Sequence, residues 1–272
     1  MKTSPRLVSV NGLVLLAAML ALPAAAHDFW LQPDTFFPPS GATTTLSLLV
    51  GHGEEKQPSP LPARRITRFS AHLADGSSTD LRTLATPAFA HGASGTHLVV
   101  LATDNQAQSH LPAVRFNSYL REEGLIAAFA HRARNRLMDR DGAERYSRVA
   151  KTLIETGPPG AGSQELATTV MGLPLEIVLQ RSPSLAPRPD LLPVAVFRES
   201  RPLAGALVKL TDLDRDDDTL ERQLSDADGR ASFMMPKPGR WLLTVVWTQH
   251  VARGDGIDYD TVFSSLSFGV RP

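Results

Sequence analysis

The sequence contains no cysteine, which excludes disulfide staples, thiolate metal sites and cysteine nucleophiles. It also carries no net charge, with 28 Lys plus Arg against 28 Asp plus Glu in 272 residues. Nucleic acid and anionic membrane surfaces therefore find no basic footprint here. Long apolar runs are missing after Leu22, so no later segment reaches the roughly 20 residues a spanning helix needs. Internal repeats and low-complexity tracts are absent as well. Catalytic signatures are missing too: there is no HExxH, no GxSxG and no phosphate-binding GxxxxGK, and Gly157 to Gly162 lack the dinucleotide spacing. A binding or structural protein is expected rather than an enzyme, with an oxidative copper enzyme kept as a rival.

What is present fits a folded protein. The hydrophobic fraction is 42% and the charged fraction 21%, ordinary values that argue against disorder and against a multi-span membrane protein. At the N-terminus Lys2 and Arg6 precede the apolar run Gly12 to Leu22, and Pro23 with Ala24-Ala25-Ala26 follows. That order is the one a secretory signal peptide requires. Residues 1–26 are expected to be removed, leaving His27 first in a periplasmic or secreted protein that is not held in a membrane.

The mature chain divides by pattern into three stretches. Over 27–117, short apolar runs such as Thr43 to Val50, Ile66 to Leu73 and His97 to Ala102 alternate with Gly, Pro, Ser and Asp, which predicts a β-domain. Over 118–160 the period lengthens. Tyr146, Val149, Ala150, Leu153 and Ile154 fall at helical spacing, predicting a helix that stops at Gly157-Pro158-Pro159-Gly160. An earlier helix is expected over 118–137, capped by Asn117 or Ser118. Over 161–272 short runs return, among them Leu175 to Leu179, Val194 to Arg198, Trp241 to Thr248 and Thr261 to Val270, predicting a second, seven-stranded sandwich. The expected fold class is mainly β, with two β-sandwich units of immunoglobulin or transthyretin type joined by a helical segment.

Several segments together resemble one bacterial family. They are His27-Asp28-Phe29-Trp30-Leu31, Ser118-Tyr119-Leu120-Arg121-Glu122-Glu123-Gly124-Leu125, Glu144-Arg145-Tyr146-Ser147-Arg148-Val149-Ala150-Lys151, Gly172-Leu173-Pro174-Leu175-Glu176-Ile177-Val178 and Asp226-Ala227-Asp228-Gly229-Arg230-Ala231. The family is a domain of unknown function commonly labelled the periplasmic component of cobalt or nickel ABC-type uptake. Arg201-Pro202-Leu203-Ala204-Gly205-Ala206, before the Asp-Gly turn, looks like a transthyretin-like or peptidase-regulatory sandwich. The resemblance implies metal uptake alongside a membrane transporter.

All eight histidines lie in the mature chain. A liberated His27 offers its α-amine and its imidazole to one ion, so a single residue supplies two nitrogen donors. This looks like the N-terminal histidine braces of secreted copper proteins. His52, between Gly51 and Gly53, is the expected second donor, and His250, at the end of the strand that starts at Trp241, the third. The bland readings stay open: a processing accident for His27, a solvated turn for His52, a surface strand end for His250. His131 stands beside Arg132 and Arg134, whose charge disfavours a cation, and His72, His91, His97 and His110 read as sheet or loop positions. The acidic run Asp212, Asp214, Asp216, Asp217 and Asp218 lacks the glycine and terminal Glu of a calcium loop and reads as a solvated hairpin. Met234 and Met235 read as core filler.

The expectation is thus a periplasmic protein that binds a divalent transition metal, Ni, Co or Cu, through His27, His52 and His250. The alternative is an envelope β-sandwich module that binds no metal.

Overall fold

The computed structural model describes residues 28–51, 56–84, 87–158, 160–215, 219–252 and 256–272. Strands run at Phe29–Pro33 (β1), Thr43–Val50 (β2), Gln57–Pro58 (β3), Ile66–His72 (β4), Ser78–Asp80 (β5), Ala88–Ala90 (β6), Gly95–Thr103 (β7) and Ala107–Leu111 (β8). Two α-helices follow, Ala113–Glu122 (α1) and Ile126–Arg134 (α2). The remainder is β again: Gly142–Thr156 (β9), Leu175–Leu179 (β10), Leu191–Arg198 (β11), Arg201–Pro202 (β12), Leu207–Asp212 (β13), Glu221–Leu224 (β14), Arg230–Met234 (β15), Gly239–His250 (β16) and Tyr259–Val270 (β17). Strand makes up 48% of the protein against 11% helix, so the fold is mainly β.

A nine-stranded sheet organises the molecule, in the order β14-β13-β16-β17-β9-β7-β4-β5 with β8 also on β9. It draws strands from both sides of the helices. They meet at β9, which follows the helices and pairs antiparallel with β7 and β8 from before them; β9 also pairs parallel with β17, Tyr259 opposite Glu144 and Ser267 opposite Thr152. One face packs on the sheet of β10, β11, β12 and β15, burying Leu98, Val149, Leu243 and Phe268 against Leu175, Ile177, Val194 and Phe233. Over β7, β9 and β4 the opposite face packs on the sheet of β1, β2, β3 and β6, with Phe29, Leu31 and Phe89 on Ala150 and Ile154. Further along that face, α1 and α2 bury Phe116, Leu120 and Leu125 on Val246 and Tyr259. Each fully buried side chain of this kind contributes about 1.5–3 kcal/mol.

Two expectations are corrected here. The helix expected over 146–154 is β9, a strand of 15 residues. Its apolar positions look helical because the strand is covered on both faces: Val149 and Leu153 enter one core, Ala150 and Ile154 the other. Consecutive residues are then apolar, which simulates i, i+3, i+4 spacing. The helix expected over 118–137 is two helices. They break at Gly124, whose φ is +66° and whose added Cβ would lie 2.6 Å from Cβ of Leu207. Asn117 is no cap: it is inside α1, accepting from Arg132 Nε at 2.8 Å and donating to the Met138 carbonyl at 2.8 Å. The start of α1 is instead served by Asp141, whose carboxylate accepts the Ala113 amide at 3.0 Å. Met234 is 65% exposed, so only Met235 packs against the core.

The central sheet also carries charge into its interior. Lys151 on β9 donates to Glu176 on β10 at 2.8 Å, with side chains 3% and 0% exposed. Glu176 further accepts the Met171 amide at 2.9 Å and 3.0 Å.

Candidate functional site

The hairpin of β16 and β17 sets His250 directly opposite Tyr259, so the two side chains share one face of the sheet. Helix α2 crosses that end and brings down His131 from its last turn. The result is a histidine pair assembled from residues distant in sequence. The rings of His131 and His250 have centroids 4.0 Å apart at an interplanar angle of 34°. Tyr259, fully buried, meets both edge-on, at 6.2 Å from His131 and 5.9 Å from His250. Nδ1 of His131 lies 3.2 Å from the Tyr259 hydroxyl.

The electrostatics favour uncharged imidazole. Burial lowers the pKa of His131, the neighbouring His250, Arg134 and Arg132 lower it further, and Asp258 opposes them. A neutral ring keeps a lone pair for an ion, the form a metal ligand requires. With Nδ1 engaged by Tyr259, Nε2 of His131 is the nitrogen left over. Among the described residues no group of three or more His, Cys, Asp and Glu could hold a metal ion, so the pair offers two protein donors.

The sequence as a whole matches the family model described as "Domain of unknown function (DUF4198)" over residues 24–249. The chain belongs to the DUF4198 family. The matched span takes in α1, α2 and β9 and ends one residue before His250. No curated protein matches this DUF4198 chain. Among solved structures it is similar to the BSP domain of a biofilm-associated protein, at 12% identity over 89% of this chain and 29% of that one, TM-score 0.21. It is similar also to the D0-D1 domain of intimin, at 10% identity over 88% and 97% of the two chains, TM-score 0.19. A third is the set of three N-terminal domains of the outer capsid protein Hoc of bacteriophage RB49, at 11% identity over 88% and 59%, TM-score 0.20. The DUF4198 chain thus spans less than a third of the first of these.

Of the expected ligands, His250 is placed and His27 and His52 lie outside the described residues, as does the expected signal peptide. The described chain starts at Asp28, which lines a shallow cleft with Glu123, Val246 and Phe263. Val246 and His250 point to the same face of β16, roughly 13 Å apart along the strand. His131, set aside in the sequence for its arginine neighbours, is the partner the fold supplies. Arg132 is turned inward, 1% exposed, its guanidinium 4.9 Å from the Phe116 ring centroid and its Nη2 donating to the carbonyls of Leu137 and Arg140.

His91, His97 and His72 hold structure, and His110 is exposed on β8. His91 shares a hydrogen bond of 2.7 Å with Thr44, and His97 one of 2.9 Å with Thr156, in adjoining buried rings 5.3 Å apart. His72 sits beside Ser70 and Arg68. In the acidic run Asp212 is buried, not solvated, at 4% exposure and paired with Lys237 at 3.3 Å, while Asp214 is exposed and paired with Arg240 at 2.5 Å; residues 216–218 lie outside the described residues.

A buried carboxyl that sequence reading missed, Glu144, stands on the same face. It accepts from Thr261 at 2.6 Å and from Tyr119 at 3.3 Å, and Thr261 shares a bond of 2.7 Å with Thr248. Burial raises its pKa from 4.5 to about 7, against the opposing hydrogen bonds from Thr261 and Tyr119 and the charge of Arg148.

Proposed function

We propose that this DUF4198 protein is an exported, periplasmic or secreted carrier of a divalent transition ion, nickel or cobalt, that serves a membrane transporter of the ABC type. The observation that supports this reading is the convergence of His131 and His250, with ring centroids 4.0 Å apart on unconnected elements. Paired imidazoles suit late first-row ions over magnesium or calcium, and copper(II) is intrinsically the tightest of them. His27 and His52 are the further donors that the sequence reading adds.

The test is calorimetric titration of the mature protein with Ni(II), Co(II), Cu(II) and Zn(II). Binding at micromolar concentration or below is expected, weakened by His131→Gln or His250→Gln by at least the roughly 10–100-fold that loss of a ligand's supporting hydrogen-bond partner costs. Absence of binding, or two variants indistinguishable from the parent, defeats the reading. Adding one alanine ahead of His27 turns its amine into an amide. Affinity is then expected to fall with the fold intact, and an unchanged titration would remove the amine from the site.

A second reading, an envelope interaction module without metal, draws on the open strand β14 and its neighbour β15. Leu220, Leu224 and Met234 are 66%, 61% and 65% exposed there, an apolar edge of the kind partners cover.

A further inference from the structure

Tyr259 makes ring contacts with both imidazoles. It faces His250 across the hairpin, presents its ring edge-on to each histidine, and reaches Nδ1 of His131 with its hydroxyl at 3.2 Å. The ring itself cannot move away. It is 0% exposed and lies 5.5 Å from Phe116 in the core beneath the helices. A buried phenol needs polar partners for its hydroxyl, and His131 is one of them. Arg132 is the other, a donor whose charge and hydrogen bond oppose the effect of burial on the phenol.

We infer that Tyr259 is a positioning residue for the histidine pair: its hydroxyl engages Nδ1 of His131 and so leaves Nε2 as the nitrogen presented beside His250. The inference rests on the metal-binding reading above and deepens it. An ion on Nε2 requires the ring proton to sit on Nδ1, where the phenol oxygen accepts it. Metal-bound histidines are held in this way by an acceptor for the opposite nitrogen, and loss of the acceptor weakens binding 10–100-fold. A pair of imidazole donors leaves the remaining coordination positions open, which suits an ion that is to be passed on rather than kept.

The variant that tests this is Tyr259→Phe, which removes one oxygen and leaves the buried ring. Two readouts are compared with the parent: Ni(II) affinity by calorimetry, and the nitrogen chemical shifts of the His131 ring, which report the tautomer. The expected result is a 10–100-fold weaker affinity together with His131 shifts that move toward a tautomer average, while backbone amide shifts away from 126–134 and 250–261 stay in place. A Phe variant that binds Ni(II) within twofold of the parent and keeps the parental His131 shifts overturns the inference. The nitrogen shifts need no metal, so they separate the two ideas. A parent that binds no ion defeats the metal reading, and a parent His131 that averages both tautomers, or carries its proton on Nε2 while accepting the phenol proton at Nδ1, defeats the role of Tyr259, whether or not the Phe variant folds.

Discussion

Lys151→Met is expected to destabilise the protein by about 3–5 kcal/mol, measured as the free energy of unfolding in urea at pH 7. The side chain leaves behind Glu176, fully buried and now without its counter-ion. An unpaired carboxylate in that position must either pay desolvation in full or take up a proton. Burial lowers the Lys151 pKa, and the charge and hydrogen bond of Glu176 raise it again, so the ammonium depends on the carboxylate beside it. The double variant Lys151→Met with Glu176→Gln keeps an acceptor for the Met171 amide and removes both charges. It is expected to lose much less than the two single variants added together, a coupling on the order of 2 kcal/mol. A Lys151→Met protein within 1 kcal/mol of the parent would show that water reaches the pair.

Glu144→Gln is expected to make the protein acid-sensitive while making it more stable at pH 8. Two buried groups titrate over overlapping ranges with opposite sign. Burial lowers the His97 pKa from 6.5 to about 4, and the neighbouring His91 adds to the effect. The unfolded chain therefore takes up the proton first, and stability is lost as pH falls from about 6.5 to about 4. Glu144 is raised from 4.5 to about 7, so the folded form holds the proton longer, and stability is lost as pH rises from about 4.5 to about 7. Each shift corresponds to about 3 kcal/mol. In the parent the two slopes cancel between about pH 4.5 and 6.5. Gln at 144 still accepts from Thr261 and Tyr119 but has no proton to give up. Unfolding free energies across pH 4.5–8 should then fall on acidification by about 1.4 kcal/mol per unit below pH 6.5, and exceed the parent at pH 8 by about 3 kcal/mol. Parallel curves for the two proteins would mean that Glu144 is already ionised at neutral pH.

Much of this architecture is legible in the residues. The runs Leu175 to Leu179, Val194 to Arg198 and Trp241 to Thr248 lie within β10, β11 and β16, because turn residues bracket each one. What escapes is whatever depends on distant partners. β9 reads as a helix since two cores claim its alternate residues, and no local pattern states that a strand will be covered twice. The parallel pairing of β9 with β17 has no signature in either segment. The site divides the same way. His250 is visible as the polar end of an apolar strand. His131 is not: its neighbours Arg132 and Arg134 do act on it as charges, and nothing local states that the end of α2 will bring its ring to 4.0 Å from that of His250. The role of Tyr259 follows from the register of a hairpin, which the sequence between β16 and β17 leaves open.

The position of β17 in the middle of the nine-stranded sheet, with β16 on one side and β9 on the other, carries a consequence for biogenesis. Residues 29–156 and 239–250 each wait for a strand synthesised after them, so a nascent chain that stops short of residue 259 presents two unsatisfied sheet edges at once. Native closure is therefore a late, all-chain event with high contact order, and the polypeptide should fold slowly and cooperatively after its synthesis rather than half by half during it.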